Sequence, residues 1–119
     1  MPALDRNIVY ARFHAAVNMA PAEIEEWLET EQSLKVGYKP AGASESIGHA
    51  SGRRIAAILR KPKAGLDDDD YSHMRKVVGY IRRHAAQRPD NIVTSRWRYS
   101  LMNWGHDPLK DWPLKEEKR

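Results

Sequence analysis

The chain of 119 residues contains no cysteine. That absence excludes disulfides, thiolate metal sites and cysteine nucleophiles, and it suits a reducing compartment. No apolar run approaches the roughly 18 residues that a membrane span requires. The opening Met-Pro-Ala-Leu-Asp-Arg has no basic segment followed by an apolar one, so no secretory signal is expected and cytoplasmic residence is the default. No glycine-rich phosphate cradle and no nucleophile elbow is visible. The five histidines, His14, His49, His73, His84 and His106, fall at no metal-ligand spacing. His73 and His84, for example, would stand roughly 16 Å apart along a helix. Neither a metal nor a cofactor is expected, and the chain reads as a non-enzyme. His106-Asp107 is a candidate acid–base pair, but an Asp before a Pro reads better as a turn.

What the chain does have is segregated charge. Residues 1–50 carry four Lys/Arg against seven Asp/Glu, whereas residues 51–119 carry sixteen against nine. Between residues 51 and 89 there are ten cations, and the only acids are the run Asp67-Asp68-Asp69-Asp70. Charge separated in this way predicts one cationic surface that attracts polyanions.

Apolar residues recur at three- and four-residue steps, the period of helices. The pattern predicts an all-α, single-domain bundle of about five helices spanning residues 1–119, with a long loop near residues 33–46 and a flexible tail from about 113. The first helix is expected over Leu4 to Val17, with Leu4, Ile8, Ala11 and Ala15 on one stripe and Val9, Phe13 and Val17 beside it. A short second helix opens at Pro21, suited to a first turn, and turns Ile24, Trp27 and Leu28 inward. A third covers Ile47 to Lys61. Gly48 and Gly52 weaken its first half by roughly 1 kcal/mol each relative to Ala, so either that half frays or something packs close to its backbone. The fourth runs from an Asp67 cap to about Gln87, with Asp70 completing the cap, Leu66 stapling against Tyr71, and Tyr71, Met74, Val77, Val78, Ile81 and Ala85 as its apolar stripe. The acidic run is thereby explained as neutralising a helix end rather than as a metal site. A fifth helix runs from Thr94 or Ser95 to Trp104, with Gly105 as its left-handed cap. Trp27, Trp97 and Trp104 are expected in the core, and Trp112 is expected to dock back onto the body.

The candidate contacts are Arg53, Arg54, Arg60, Lys61 and Lys63 on the third helix and its exit, with Arg75, Lys76, Arg82 and Arg83 on the fourth. If those two helices pack as a hairpin, nine cations share one side. Guanidinium forks match phosphate oxygens, and neutralising six phosphates would give a salt slope of about −5. A helix-turn-helix is not expected, because the connection from Pro62 to Leu66 is long and the second helix opens with four acids that repel phosphate. The expected function is therefore binding of DNA, or alternatively RNA, through backbone phosphates with little sequence preference. The alternative is a self-assembling module in which the acidic Glu23–Glu31 segment of one copy meets the basic face of another.

Several segments resemble a family of small bacterial and fungal proteins of unknown function: Val17-Asn18-Met19, Glu26 to Thr30, Gly52-Arg53-Arg54-Ile55, Asp68 to Arg83, and above all Trp97 to Lys110 (WRYSLMNWGHDPLK). Members of that family are commonly labelled DNA-binding proteins, so the resemblance implies nucleic-acid binding and a nucleoid-associated or protective role. It supplies no catalytic residues. Within the closing segment, Asn103, His106, Asp107 and Lys110 are expected to form a hydrogen-bond network holding the C-terminal arm, with a small site as the other reading.

Overall fold

The computed structural model describes residues 5–110. Leu4, Trp112 and the expected tail therefore lie outside the described residues. Among those described there are six α-helices, one short 3-10 turn at Lys63–Gly65 and no strand. The all-α single domain expected from the apolar spacing is the fold observed.

Helix α1 spans Arg6–Ala16 and is capped by Asp5, whose carboxylate accepts from the amides of Asn7 (3.1 Å) and Ile8 (3.3 Å). Its buried stripe is Val9, Phe13 and Ala16, while Ile8 remains 46% exposed. The Ile8–Ala11–Ala15 stripe expected from the spacing thus faces outward. The i, i+4, i+7 row carrying the larger Phe13 buries more apolar surface, and it wins.

Helix α2 (Pro21–Leu28) buries Ile24 and Leu28, and Glu23 reaches back to accept from the Ala20 amide at 2.8 Å. A further helix, α3 (Glu31–Lys35), occupies part of the segment expected as loop. Thr30 explains it: its hydroxyl accepts from the Ser33 amide (3.2 Å) and donates to the Trp27 carbonyl (2.7 Å), a cap that nucleates one turn.

Helix α4 (Ile47–Arg60) is capped by Ser46, and α5 (Asp68–Ala85) by a reciprocal box. Asp67 accepts from the Asp70 amide at 2.9 Å and Asp70 from the Asp67 amide at 3.1 Å. Leu66 and Tyr71 are both buried beside this cap, as a hydrophobic staple requires. Helix α6 (Arg96–Asn103) starts at a Ser95 cap and ends at Gly105, whose φ is +84°. The amides of Gly105 and His106 return to the carbonyls of Met102 and Leu101, both at 3.0 Å, which is a Schellman ending.

The helices pair as α1 with α5 and α2 with α4, and α6 touches α2, α3, α4 and α5. Phe13, Ile24, Ile55, Met74, Val77, Ile81 and Leu101 are fully buried between them. Trp104 is buried too, and Trp27 and Trp97 pack half-buried against the core. Gly48 and Gly52 are where α4 meets the end of α6. A Cβ on Gly52 would stand 2.5 Å from the Asn103 carbonyl oxygen, and one on Gly48 would stand 2.9 Å from Nε1 of Trp104. Of the two explanations for these glycines, close backbone approach is the one observed. Among the described residues no helix is long and apolar enough to cross a membrane.

Candidate nucleic-acid interface

The two cation-bearing helices do not form a tightly packed hairpin: α5 lies along α1, and α4 lies along α2. They meet through side chains instead. Ser51 on α4 hydrogen-bonds His73 on α5 at 2.9 Å, and Asp70 at the start of α5 gathers cations from α4.

This arrangement divides the nine candidates. Lys61 donates to Asp70 at 2.7 Å, and Arg54 reaches the same carboxylate at 3.5 Å. Arg60 is held in a fork by Glu25, with contacts of 3.1 and 2.7 Å. Arg53 is paired with Glu45. Lys63 donates to Asn7 at 3.2 Å and sits 4.7 Å from the centroid of the Tyr10 ring. The other four, Arg75, Lys76, Arg82 and Arg83, are exposed and make no ion pair with any described residue.

The acids that pair with α4 are firmly ionised. Arg53, and after it His49, draws the Glu45 carboxyl down to about 2. For Asp70, burial works against the charge, but Lys61, the Asp67 amide and Arg54 outweigh it and hold the carboxyl below its ordinary value. The electrostatic consequence of these pairs is that a cation already facing a carboxylate offers a phosphate little net field.

The free group belongs to one helix face and its neighbour. Arg75 and Arg82 are seven residues apart, as are Lys76 and Arg83, so each pair repeats after two turns at roughly 10.5 Å. No acid occurs between Asp70 and Asp90. Helix α1, which lies against α5, contains no acid either, and it adds Arg12, exposed and without an ion pair among the described residues. Arg12, Arg75 and Arg82 line one open cleft of about 210 Å³ between the two helices, with Val9, Val78 and Gly79 as its floor. Arg12 was not among the sequence candidates, because it sits in the half of the chain that is acidic when counted by region. Counting acids helix by helix would have found it.

On the opposite flank, Arg54 and Lys76 line a second cleft with His73 between them. Burial first, then these two cations, lowers His73 from 6.5 to about 4, so the ring is neutral near pH 7 and adds no charge to the face. It stacks on Trp104, with ring centroids 6.4 Å apart.

The closing segment is a hydrogen-bond network. Asn103 accepts from the Trp27 indole (2.7 Å) and the Ser33 hydroxyl (2.6 Å), and donates to the Ser33 carbonyl (3.2 Å). Asn18 donates to the Asp107 carbonyl at 3.0 Å and accepts its amide at 2.8 Å. Asp107 takes a two-pronged contact from Arg98 at 3.0 and 3.1 Å. His106, fully buried, donates from Nδ1 to the Ala16 carbonyl at 2.8 Å, and burial lowers its pKa. The side chains of the candidate acid–base pair therefore face separate partners. Lys110 closes the arm onto Glu23 at 2.7 Å. Among the described residues no cluster of His, Asp or Glu is placed to hold a metal ion.

Residues 12–102 match the family described as a protein of unknown function, DUF3140. The chain belongs to that family. No curated protein and no solved structure matches it. The family match takes in α2 to α5, the last five residues of α1 and all of α6 but its last residue, and thus every one of the nine candidate cations together with Arg12. It stops at Met102, so Asn103 to Lys110, the last eight residues of the closing segment, lie beyond the matched residues.

Proposed function

We propose that this chain binds nucleic acid, DNA in the first instance, through backbone phosphates and without reading bases. The contact surface is the outer side of α5, with Arg75, Lys76, Arg82 and Arg83, joined by Arg12 from α1. One observation carries the reading: beyond its first turn the longest helix presents four exposed cations and no acid, and the helix packed against it is also free of acids. Such a face attracts a polyanion at long range and gains affinity by releasing counterions. The first turn of α5, with Asp68 and Asp69 exposed, repels phosphate, so the duplex lies along the helix side rather than meeting its N-terminus. Arg53, Arg60 and Lys61, already paired, contribute little.

Gel-shift titration over a range of salt tests this. With five cations engaged, the slope of log K against log salt is expected near −4.5 for duplex DNA. The double variant Arg82→Glu/Arg83→Glu should lose binding to all sequences alike, while Arg60→Gln should change it little. Failure of the wild-type protein to retard any duplex or single strand at low salt sinks the proposal.

A second reading rests on Glu26 on α2, Glu29 just after it and Glu31 on α3, which are exposed and make no ion pair with any described residue. They would meet the α5 face of another copy. Light scattering should then show assemblies that dissociate as salt rises, and a strict monomer at high concentration removes this reading.

A further inference from the structure

The cleft between α1 and α5 has a construction that a simple backbone-binding surface does not need. Arg75, Val78, Gly79 and Arg82 stand at i, i+3, i+4 and i+7, the spacing that puts four residues on one helix face. Arginines thus close both ends of the cleft, while Val78 and the bare backbone of Gly79 form the floor between them. From α1, Val9 and Arg12 stand at i and i+3, so Arg12 comes in from across the cleft with Val9 beside it. The missing side chain at Gly79 is what opens the middle. Even a Cβ there would lie 3.1 Å from Nη1 of Arg83, so that guanidinium also borders the glycine.

We propose that this cleft is a binding site for a dianionic phosphate monoester. The charge count separates it from a backbone contact. A diester phosphate carries one negative charge, whereas a monoester carries about −1.5 to −2 near neutral pH. Three guanidinium groups around a single opening, with no acid on either helix within reach, come closer to the charge of the monoester than to that of the diester. Each guanidinium presents a planar fork that two phosphate oxygens can fill. The volume of about 210 Å³ corresponds to about seven water molecules at about 30 Å³ each, which is room for a phosphoryl group and the first atoms of its ester. Val9 and Val78 give those carbon atoms an apolar wall. Two sources present this chemistry, the 5′-terminal phosphate of a nucleic-acid strand and a free sugar phosphate or nucleoside monophosphate. The inference rests on the backbone-binding proposal only in that both use Arg12, Arg75 and Arg82.

The test runs two arms on the full chain. In the first, a nucleoside 5′-monophosphate and the matching nucleoside are titrated by calorimetry or amide NMR shifts. Expected is saturable binding of the monophosphate, with shifts centred on residues 9–12 and 75–82, and none of the nucleoside. Removing one charged hydrogen-bond donor with Arg12→Ala should weaken binding by about tenfold. Arg12→Lys, which keeps the charge and loses the fork, should restore only part of it. Gly79→Leu, which fills the floor without altering charge, should abolish it, with circular dichroism confirming a folded helix in each case. In the second arm, one oligonucleotide is compared with and without its 5′-phosphate. Preference for the phosphorylated end that disappears in Arg12→Ala assigns the site to strand termini, and monophosphate binding without that preference assigns it to a free metabolite. Equal monophosphate binding by wild type and Arg12→Ala, or no binding at all, overturns the inference. If duplex is still retarded in that event, the backbone reading stands without the cleft. If the monophosphate binds through Arg12 and duplex does not bind, the cleft stands without the backbone reading.

Discussion

Two glycine-to-alanine changes should move stability in opposite directions, for reasons that lie outside the substituted residue. Gly52→Ala places a methyl group 2.5 Å from the Asn103 carbonyl oxygen and 2.9 Å from Cδ2 of Leu28. Neither neighbour can yield easily. The carbonyl belongs to the last turn of α6, whose Asn103 side chain is fixed by Trp27 and Ser33, and Leu28 is 5% exposed in the core. Overpacking of this kind costs about 1–3 kcal/mol, more when backbone must shift. Relief from glycine in a helix interior returns about 1 kcal/mol, so with the upper cost, which applies where a carbonyl must move, the net loss is about 2 kcal/mol. At Gly79 the same methyl group meets only the end of the Arg83 side chain, which is exposed and free to move. There the helix-propensity gain of about 1 kcal/mol stands almost alone. For a domain of this size, about 4 °C per kcal/mol converts these to a fall of about 8 °C and a rise of up to about 4 °C in Tm. Urea and thermal melts followed by tryptophan fluorescence read both. A Gly52→Ala variant as stable as wild type, or a Gly79→Ala variant that loses stability, refutes the claim that α4 and α6 touch backbone to backbone while α5 stays open at its glycine.

Two further predictions concern acid. The Glu45 carboxyl, held near 2 by Arg53 and then His49, contributes stability that is complete above its ordinary 4.5 and lost as pH falls towards 2. The stability difference between wild type and Glu45→Gln should therefore be full at neutral pH and vanish as the solution approaches pH 2; a difference that ignores pH is the contrary result. His73 acts in the same direction but in a higher window of pH. Its folded pKa of about 4 lies below the ordinary 6.5, so between those values the unfolded chain takes up a proton that the folded one refuses, and wild-type stability falls as pH drops through that window. His73→Gln should flatten this part of the curve, and an unchanged slope in urea titrations at stepped pH would show that His73 does not titrate as described.

The fold was legible wherever a local rule decided it. The Asp67–Asp70 cap, the Pro21 start and the Gly105 ending are matters of neighbouring residues, and each lies where its pattern indicated. Elements that depended on distant partners were not legible. Helix α3 is one turn with a Thr30 cap, and its buried Ser33 is explained only by Asn103, seventy residues away. The outward turn of Ile8 is similar, since which of two adjacent rows on α1 is buried depends on α5. At the candidate site the charge count located the cations but not their partners. Glu25 and Glu45 come from the acidic third of the chain, and Asp70 from the run that also caps α5, yet all three fold back onto α4. Separation along the sequence thus becomes pairing in space on α4 and persists only on α5. Four of the nine nominated residues, all on α5, make no ion pair with any described residue, Lys63 rests on Asn7 and Tyr10 without an acid, and Arg12 joins the four from a helix that regional composition had counted as acidic.

That division gives a test of where the interface lies. Glu25 and Glu45 face Arg60 and Arg53, two residues seven apart and so on one side of α4, the side turned towards α2 and the loop before Ile47. Replacing both acids with Gln frees two guanidinium groups without touching α5. If the nucleic acid lay across α4 and α5 together, two more phosphates would be neutralised and the salt slope would steepen by about 1.8. The α5–α1 assignment requires instead that the slope stay near −4.5, with only the modest gain in affinity that two extra charges at a distance provide, and that this gain fade once the Debye length falls below about 8 Å. A steeper slope in the Glu25→Gln/Glu45→Gln protein would move the contact surface onto α4 and restore the wider plate of cations that the sequence suggested.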